Sequence, residues 1–132
     1  MSVDLSQFHQ VFFEESFEGL EIMEHQLLQL QAGTPDLETV NTIFRAAHSI
    51  KGGAGTFGFS DVAQFTHSVE TLLDEIRAGQ RQVTNEYIDL FLQSVDVLRD
   101  LLQALKDHEK PSLERAQELQ LALQKVLNGD NN

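Results

Sequence analysis

The fold is decided first by residues 5–30, whose sequence is LSQFHQVFFEESFEGLEIMEHQLLQL. Apolar residues recur in this stretch at steps of three and four, which is the spacing of one face of an α-helix. The residues of this stripe are Leu5, Phe8, Phe12, Phe13, Phe17, Leu20, Met23, Leu27 and Leu30. The stretch therefore predicts a long amphipathic helix, and Gly33 marks its end because glycine favours the position just after a helix.

The same apolar spacing recurs in four further segments, and capping residues indicate where each helix begins or ends. Thr34-Pro35, Ser60 and Thr84 have the chemistry of helix starts, and Gly79 that of a helix end. The predicted helices span about 4–31, 35–55, 60–78, 84–108 and 112–127, with residues 128–132 as a flexible tail. Because the connections are short, successive helices should be antiparallel neighbours. We therefore predict an all-α fold, an antiparallel up-down-up-down four-helix bundle with an additional fifth C-terminal helix, as a single domain over residues 1–132.

Composition and charge exclude several classes of function. The formal net charge of −12 predicts repulsion from nucleic acids and from anionic membranes, so we expect neither as a partner. The chain has no cysteine, which excludes disulfides and thiolate sites. It shows no signal peptide and no run near the roughly 20 apolar residues of a membrane span. We therefore expect a cytoplasmic protein without membrane insertion, and a monomer, because the apolar stripes are consumed within the bundle.

The segment that carries chemistry is residues 45–55, RAAHSIKGGAG. His48 and Lys51 are three residues apart and therefore share one helical face. Gly52, Gly53 and Gly55 would cost a helix roughly 2–3 kcal/mol together, which favours a functional reason for them. Without side chains they leave the backbone beside Lys51 open to the close approach of another molecule. The alternative is that these glycines only end the helix and begin a loop.

The third predicted helix supplies a partner for this histidine. If the second and third helices fold back on each other around Phe57 and Gly58, His48 lies level with His67. Glu70 follows about 4.5 Å farther along the same face. A carboxylate that accepts the Nδ1–H of an imidazole fixes its tautomer and leaves Nε2 with an exposed lone pair. An ordinary polar contact, or a register that slips by one turn, is the alternative.

Two other kinds of site were weighed against this one. Residues 53–58 fit the G-x-G-x-x-G pattern, but a helix rather than a strand precedes them, and Phe59 stands where a phosphate loop needs lysine. Di-iron helical bundles need glutamate three residues before histidine, and none of the five histidines has it. We therefore expect no nucleotide cofactor and no metal site in this domain.

Residues 48–59, HSIKGGAGTFGF, resemble the phosphorylation motif of histidine phosphotransfer domains, and most closely that of the N-terminal domains of bacterial chemotaxis histidine kinases. The resemblance implies that His48 is the phosphoacceptor at Nε2, and that Glu70 is its Nδ1 partner. It also implies that Lys51 and His67 complete a polar network, and that the glycines Gly52, Gly53 and Gly55 give partners access.

The same resemblance implies a set of partners. The ATP-binding domain of a parent kinase would supply ATP and Mg²⁺ and would phosphorylate the histidine. The phosphoryl group would then pass to an aspartate of a response-regulator receiver of the CheY or CheB type. On this hypothesis the chain is a fragment of a longer multidomain kinase, and acts as carrier rather than catalyst. The rival hypothesis is a helical adaptor bundle that is never phosphorylated.

Overall fold

The computed structural model describes residues 5–30 and 36–129, and its regular elements are five α-helices. They are α1 (Leu5–Gln29), α2 (Leu37–Phe57), α3 (Ser60–Arg77), α4 (Asn85–Lys106) and α5 (Glu114–Leu127). Helix α1 packs on α2 and α4, and α3 also packs on both α2 and α4, so the four helices close into a ring. Helix α5 lies outside that ring against α3 and α4. The predicted four-helix bundle with an added fifth helix is confirmed.

The start of α2 is set by a residue that the sequence prediction did not use. Asp36 is its N-cap, and its Oδ1 accepts a hydrogen bond of 3.1 Å from the backbone N–H of Glu38. The Thr39 hydroxyl donates to the other carboxylate oxygen at 3.0 Å. An aspartate at this position satisfies one of the free N–H groups of the first turn. The predicted caps Gly33 and Thr34, and the predicted helical residue Pro35, lie outside the described residues.

The end of α2 lies farther along the chain than predicted. The helix continues through Gly52, Gly53 and Gly55 to Phe57, two residues beyond the predicted end at 55. Gly58 then takes the left-handed conformation (φ +74°), and the N–H of Phe59 donates to the Ala54 carbonyl at 2.9 Å. Glycine adopts this conformation without steric cost, so Gly58 rather than Gly55 ends the helix.

The capping predictions for α3 and α4 had mixed outcomes. Thr84 caps α4 as predicted, because its hydroxyl accepts the N–H of Tyr87 at 3.1 Å. Gly79 follows α3 with φ +81°, as expected of a residue just after a helix. Ser60 is the first residue of α3 rather than its cap, and Phe59 occupies the cap position without a side-chain hydrogen bond. Helix α4 ends at Lys106, so His108 lies beyond it with φ +57°.

The core draws buried side chains from all five helices, as the apolar stripes predicted. The largest fully buried ones are Leu20, Met23, Leu27, Ile43, Ile50, Leu72, Leu73, Ile76, Phe91, Leu98, Leu102 and Leu123. Phe8, a residue of the predicted stripe, is instead 54% exposed, and so is Leu37 at the start of α2, by 53%. Both lie in the first turn of their helix, where fewer neighbours cover the stripe.

Arg81, in the connection between α3 and α4, ties α5 to the bundle. Its guanidinium donates to Glu75 Oε1 at 2.5 Å, to the Tyr87 hydroxyl at 2.9 Å and to the carbonyl of Val126 at 2.8 Å. The hydrogen bond with Glu75 raises the pKa of Arg81, against the opposing effect of burial, so the group stays charged. One side chain therefore joins α3, α4 and the last turn of α5.

Among the described residues, no helix has both the length and the hydropathy that crossing a membrane requires.

Candidate functional site

The site is built where α2 and α3 face each other, around the ring of His48. The Nδ1 atom of His48 lies 3.3 Å from Glu70 Oε1 on α3. The Nζ atom of Lys51, one turn after His48, donates to the same Oε1 at 3.0 Å and lies 2.9 Å from Oε2. The imidazole side chain is 62% exposed, whereas that of Glu70 is only 13% exposed. A solvent-exposed histidine thus contacts a carboxylate that is nearly buried and paired with Lys51.

The chemistry of Glu70 decides which nitrogen of His48 carries the proton. An ionised carboxylate can only accept hydrogen bonds, and Glu70 also accepts one from the Nζ of Lys51. Nδ1 must therefore be the donor in the contact with Glu70, which leaves the lone pair on Nε2. In the neutral form of the imidazole, the nucleophilic atom then lies on the side of the ring away from Glu70.

The predicted pairing of His48 with Glu70 is present, but the predicted place of His67 is not. The carboxylate of Glu70 contacts Nδ1 of His48, as predicted. Across the described residues, the His67 ring makes no hydrogen bond to His48, Lys51 or Glu70. It is exposed and instead lines a groove of about 1010 Å³ between α3 and α5, with Lys51 and Gly55 at the edge of the same groove.

The three glycines of α2 divide into two kinds. A Cβ atom on Gly52 or Gly55 would meet nothing within 4 Å, so both leave an open surface beside Lys51. A Cβ on Gly53 would lie 2.5 Å from the ring of Phe12 on α1. Phe12 is buried in the core, so Gly53 is required for the packing of α1 on α2. Gly53 therefore has a packing role that the sequence did not predict, and it also lines the groove between α1 and α2.

A second groove runs along the other side of α2, between that helix and α1. Its volume is about 740 Å³. The exposed apolar side chains of Phe8, Val11 and Ile22 form its α1 wall, and Arg45 and Ser49 belong to its α2 wall. His48 therefore lies on a ridge with an open groove on either side, which leaves room for a large partner to approach it.

An aromatic contact at the rim of the site was not predicted from the sequence. The ring of Phe44, one turn before His48, is nearly parallel to the imidazole, with an interplanar angle of 10° and centroids 6.0 Å apart. The guanidinium carbon of Arg77 lies 3.7 Å from the centre of the Phe44 ring. The spacing of Phe44 and His48 was visible in the sequence, whereas nothing local pointed to Arg77, which comes from the far end of α3.

Over residues 5–30 and 36–129, no three His, Asp or Glu side chains converge into a group that could hold a metal ion.

A helical bundle that displays one histidine on its surface, held by a carboxylate of the facing helix, defines the class of the histidine phosphotransfer domains. The model of the family described as "Hpt domain" matches residues 7–108, and the chain belongs to this family. Its relatives in sequence are chemotaxis proteins. The CheA protein of Salmonella typhimurium is 51% identical over 111 residues, and that of Bacillus subtilis is 39% identical over 105 residues. These matches cover 84% and 80% of the chain but only 16% of each relative.

Solved structures give the same assignment. The CheA phosphotransferase domain from Thermotoga maritima is 32% identical with a TM-score of 0.72, over 78% of this chain and 98% of that one. The phosphorylated P1 domain of CheA3 from R. sphaeroides, in complex with CheY6, is 25% identical with a TM-score of 0.83. That match covers 93% of this chain and 97% of the other.

Proposed function

We propose that the chain carries a phosphoryl group on Nε2 of His48, and passes it from a kinase to a receiver. The observation that supports this most directly is the contact between Nδ1 of the exposed His48 ring and the nearly buried Glu70. It supplies the two properties that a nucleophilic imidazole needs, which are a fixed tautomer and a nearby negative charge.

In the proposed step the Nε2 lone pair attacks the γ-phosphorus of ATP. A bond forms between Nε2 and phosphorus while the bond from phosphorus to the bridging oxygen breaks, and ADP leaves with those electrons. The ring becomes cationic, its proton stays on Nδ1, and Glu70 stabilises the new charge. In the second step an aspartate oxygen of the receiver attacks phosphorus, the bond from Nε2 to phosphorus breaks, and the ring returns to its neutral form.

Lys51 provides positive charge at this site without being consumed. Phosphoryl transfer depends mainly on positioning and on the compensation of charge at the transferred group. Lys51 lies on the His48 face of α2, and its Nζ also fixes Glu70 through two contacts of about 3 Å. We infer that it orients the carboxylate in the resting domain and offsets phosphate charge in the phosphorylated one.

The partners of the proposal come from the relatives. The match covers only 16% of the Salmonella typhimurium chemotaxis protein, so that relative is about six times longer than the matched region. We therefore propose that a kinase domain of the parent protein binds ATP and Mg²⁺, and that this domain acts as its substrate. The R. sphaeroides complex with CheY6 supports a receiver of the CheY type as acceptor, and we extend the proposal to the CheB type. We place the reaction in the cytoplasm, where ATP is made, and propose a monomeric carrier.

The experiment that tests this function uses the His48→Gln variant. The wild-type chain is incubated with the kinase portion of a CheA relative and radiolabelled ATP. We expect a label on the wild type that acid removes and base does not, as for phosphohistidine. His48→Gln should carry no label, because its amide cannot act as the nucleophile.

His25→Gln is the matched control, since this histidine is also exposed but its ring is hydrogen-bonded to Gln29, on its own helix α1, rather than to a carboxylate of a facing helix. It should be labelled like the wild type. Undiminished labelling of His48→Gln would refute the assignment of the phosphoacceptor. A wild-type chain that gains no acid-labile phosphate would instead favour the adaptor bundle.

A further inference from the structure

The His48 side chain is largely exposed, and its contact with Glu70 alone would not hold the imidazole ring in one orientation. The side chain is 62% exposed, and within residues 5–30 and 36–129 the ring makes one polar contact, a fairly long one of 3.3 Å. An exposed side chain with so little contact normally samples several rotamers on a nanosecond scale. Transfer to Nε2 needs the opposite, a ring whose Nδ1 stays with Glu70 while Nε2 points outward.

Phe44 restricts the imidazole ring on the side that faces the start of α2. Side chains of a helix lean toward its N-terminus, so the imidazole of His48 leans over the turn that holds Phe44. The two rings are parallel within 10°, with centroids 6.0 Å apart, which is within the range of offset stacking. Phe44 is itself only partly exposed and packs against the core, so it cannot move aside freely.

Arg77 in turn holds the Phe44 ring. Its guanidinium carbon lies 3.7 Å from the ring centre, a cation–π contact. The same guanidinium donates to Asp74 Oδ1 at 2.8 Å, one turn back on α3. A row of contacts therefore runs from Asp74 through Arg77 and Phe44 to His48, on the side of the imidazole away from Lys51.

We infer that Phe44 is a positioning residue for His48 and that Arg77 fixes Phe44 in that role. The inference rests on the proposed function, which it deepens by naming what orients the phosphoacceptor. Glu70 holds one edge of the imidazole, and Phe44 limits the swing of the ring toward the start of α2. Both are needed to keep the reactive tautomer and the reactive rotamer populated together. Loss of the aromatic face lowers the fraction of competent molecules, and the rate constant falls with that fraction.

The test compares Phe44→Leu, which keeps apolar bulk but removes the flat ring, with the conservative Phe44→Tyr. NMR of the ring nitrogens of His48 in the unphosphorylated chain reports the fraction with the proton on Nδ1. We expect Phe44→Leu to lower that fraction and to remove the ring-current shift of the imidazole protons. With the kinase, kcat for phosphorylation should fall about three- to tenfold at an unchanged KM, because the competent fraction falls while the docking surface remains. Phe44→Tyr should restore both readouts to near wild-type values.

Phe57→Leu is the control for loss of an aromatic ring elsewhere in the same helix, since Phe57 packs on His9 and Phe12 rather than on His48. It should leave the His48 nitrogen signals unchanged. A folded Phe44→Leu chain with the wild-type tautomer fraction and the wild-type kcat would overturn the inference, as would an effect on KM alone. The NMR measurement needs no phosphate, so it decides the role of Phe44 even if the chain is never phosphorylated, an outcome that would refute the proposed function instead.

Discussion

Replacing Glu70 with glutamine should slow the phosphorylation of His48 by about 10- to 100-fold while the bundle stays folded. A hydrogen bond to a charged group is worth about 1.5–3 kcal/mol, and 1.36 kcal/mol corresponds to tenfold in rate. Glutamine keeps the shape of the side chain but removes the charge that stabilises the cationic ring. Its amide can also donate to Nδ1, which favours the tautomer with the proton on Nε2 and blocks the nucleophile. The initial rate of labelling at saturating kinase measures the effect.

The control for this variant is Glu118→Gln. This substitution removes the same charge from an exposed position in α5, outside the site. The variant chain should therefore be phosphorylated at the wild-type rate. Circular dichroism and urea unfolding confirm that both variants are folded. A Glu70→Gln chain that is labelled as fast as Glu118→Gln would show that the carboxylate has no part in activating His48.

The second large effect is expected from alanine at Gly53, which should lower the free energy of unfolding by about 1–3 kcal/mol, the usual cost of overpacking a core. The added methyl carbon would lie 2.5 Å from the Phe12 ring, and Phe12 packs against Phe13 and Phe57, so it can give way only by disturbing those contacts. Gly52→Ala, one residue earlier, should instead raise the free energy of unfolding by about 0.5–1 kcal/mol. Alanine is the better helix former, and its Cβ would meet nothing within 4 Å.

Urea unfolding of the two variants measures these opposite signs directly. Phe12→Leu removes the ring that the new methyl group meets, so the double variant Gly53→Ala, Phe12→Leu should lose less stability than the sum of the single losses. If Gly53→Ala and Gly52→Ala changed stability in the same direction, the packing role of Gly53 would be wrong.

The sequence was sufficient to place the helices, and the local motif around His48 was enough to name a candidate acceptor. The apolar stripes placed all five helices, and Thr84 and Gly79 marked ends that the structure confirms. The end of α2 was misjudged because helix propensity counts the cost of Gly53 but not its packing against α1. Tertiary contacts override propensity at such positions.

The contacts that the sequence could not predict are those between residues far apart in the chain. The register of α2 on α3 depends on the tight turn at Gly58 and Phe59, and it decides that Glu70, rather than His67, contacts the His48 ring. Arg77 reaches Phe44 across the same pair of helices. Arg81 binds the Val126 carbonyl, 45 residues away in the chain. No local pattern marks an arginine for such a role, so these contacts need the assembled bundle.

The central claim is that His48 carries the phosphoryl group on Nε2 while Glu70 keeps the proton on Nδ1. Phosphorus and nitrogen NMR of the phosphorylated, isotope-labelled chain tests it most directly, because coupling between phosphorus and a ring nitrogen identifies the bonded atom. We expect phosphorus to couple to Nε2 of His48 and the remaining ring proton to be on Nδ1. Phosphorus bonded to Nδ1 of His48, or to any other residue, would contradict it.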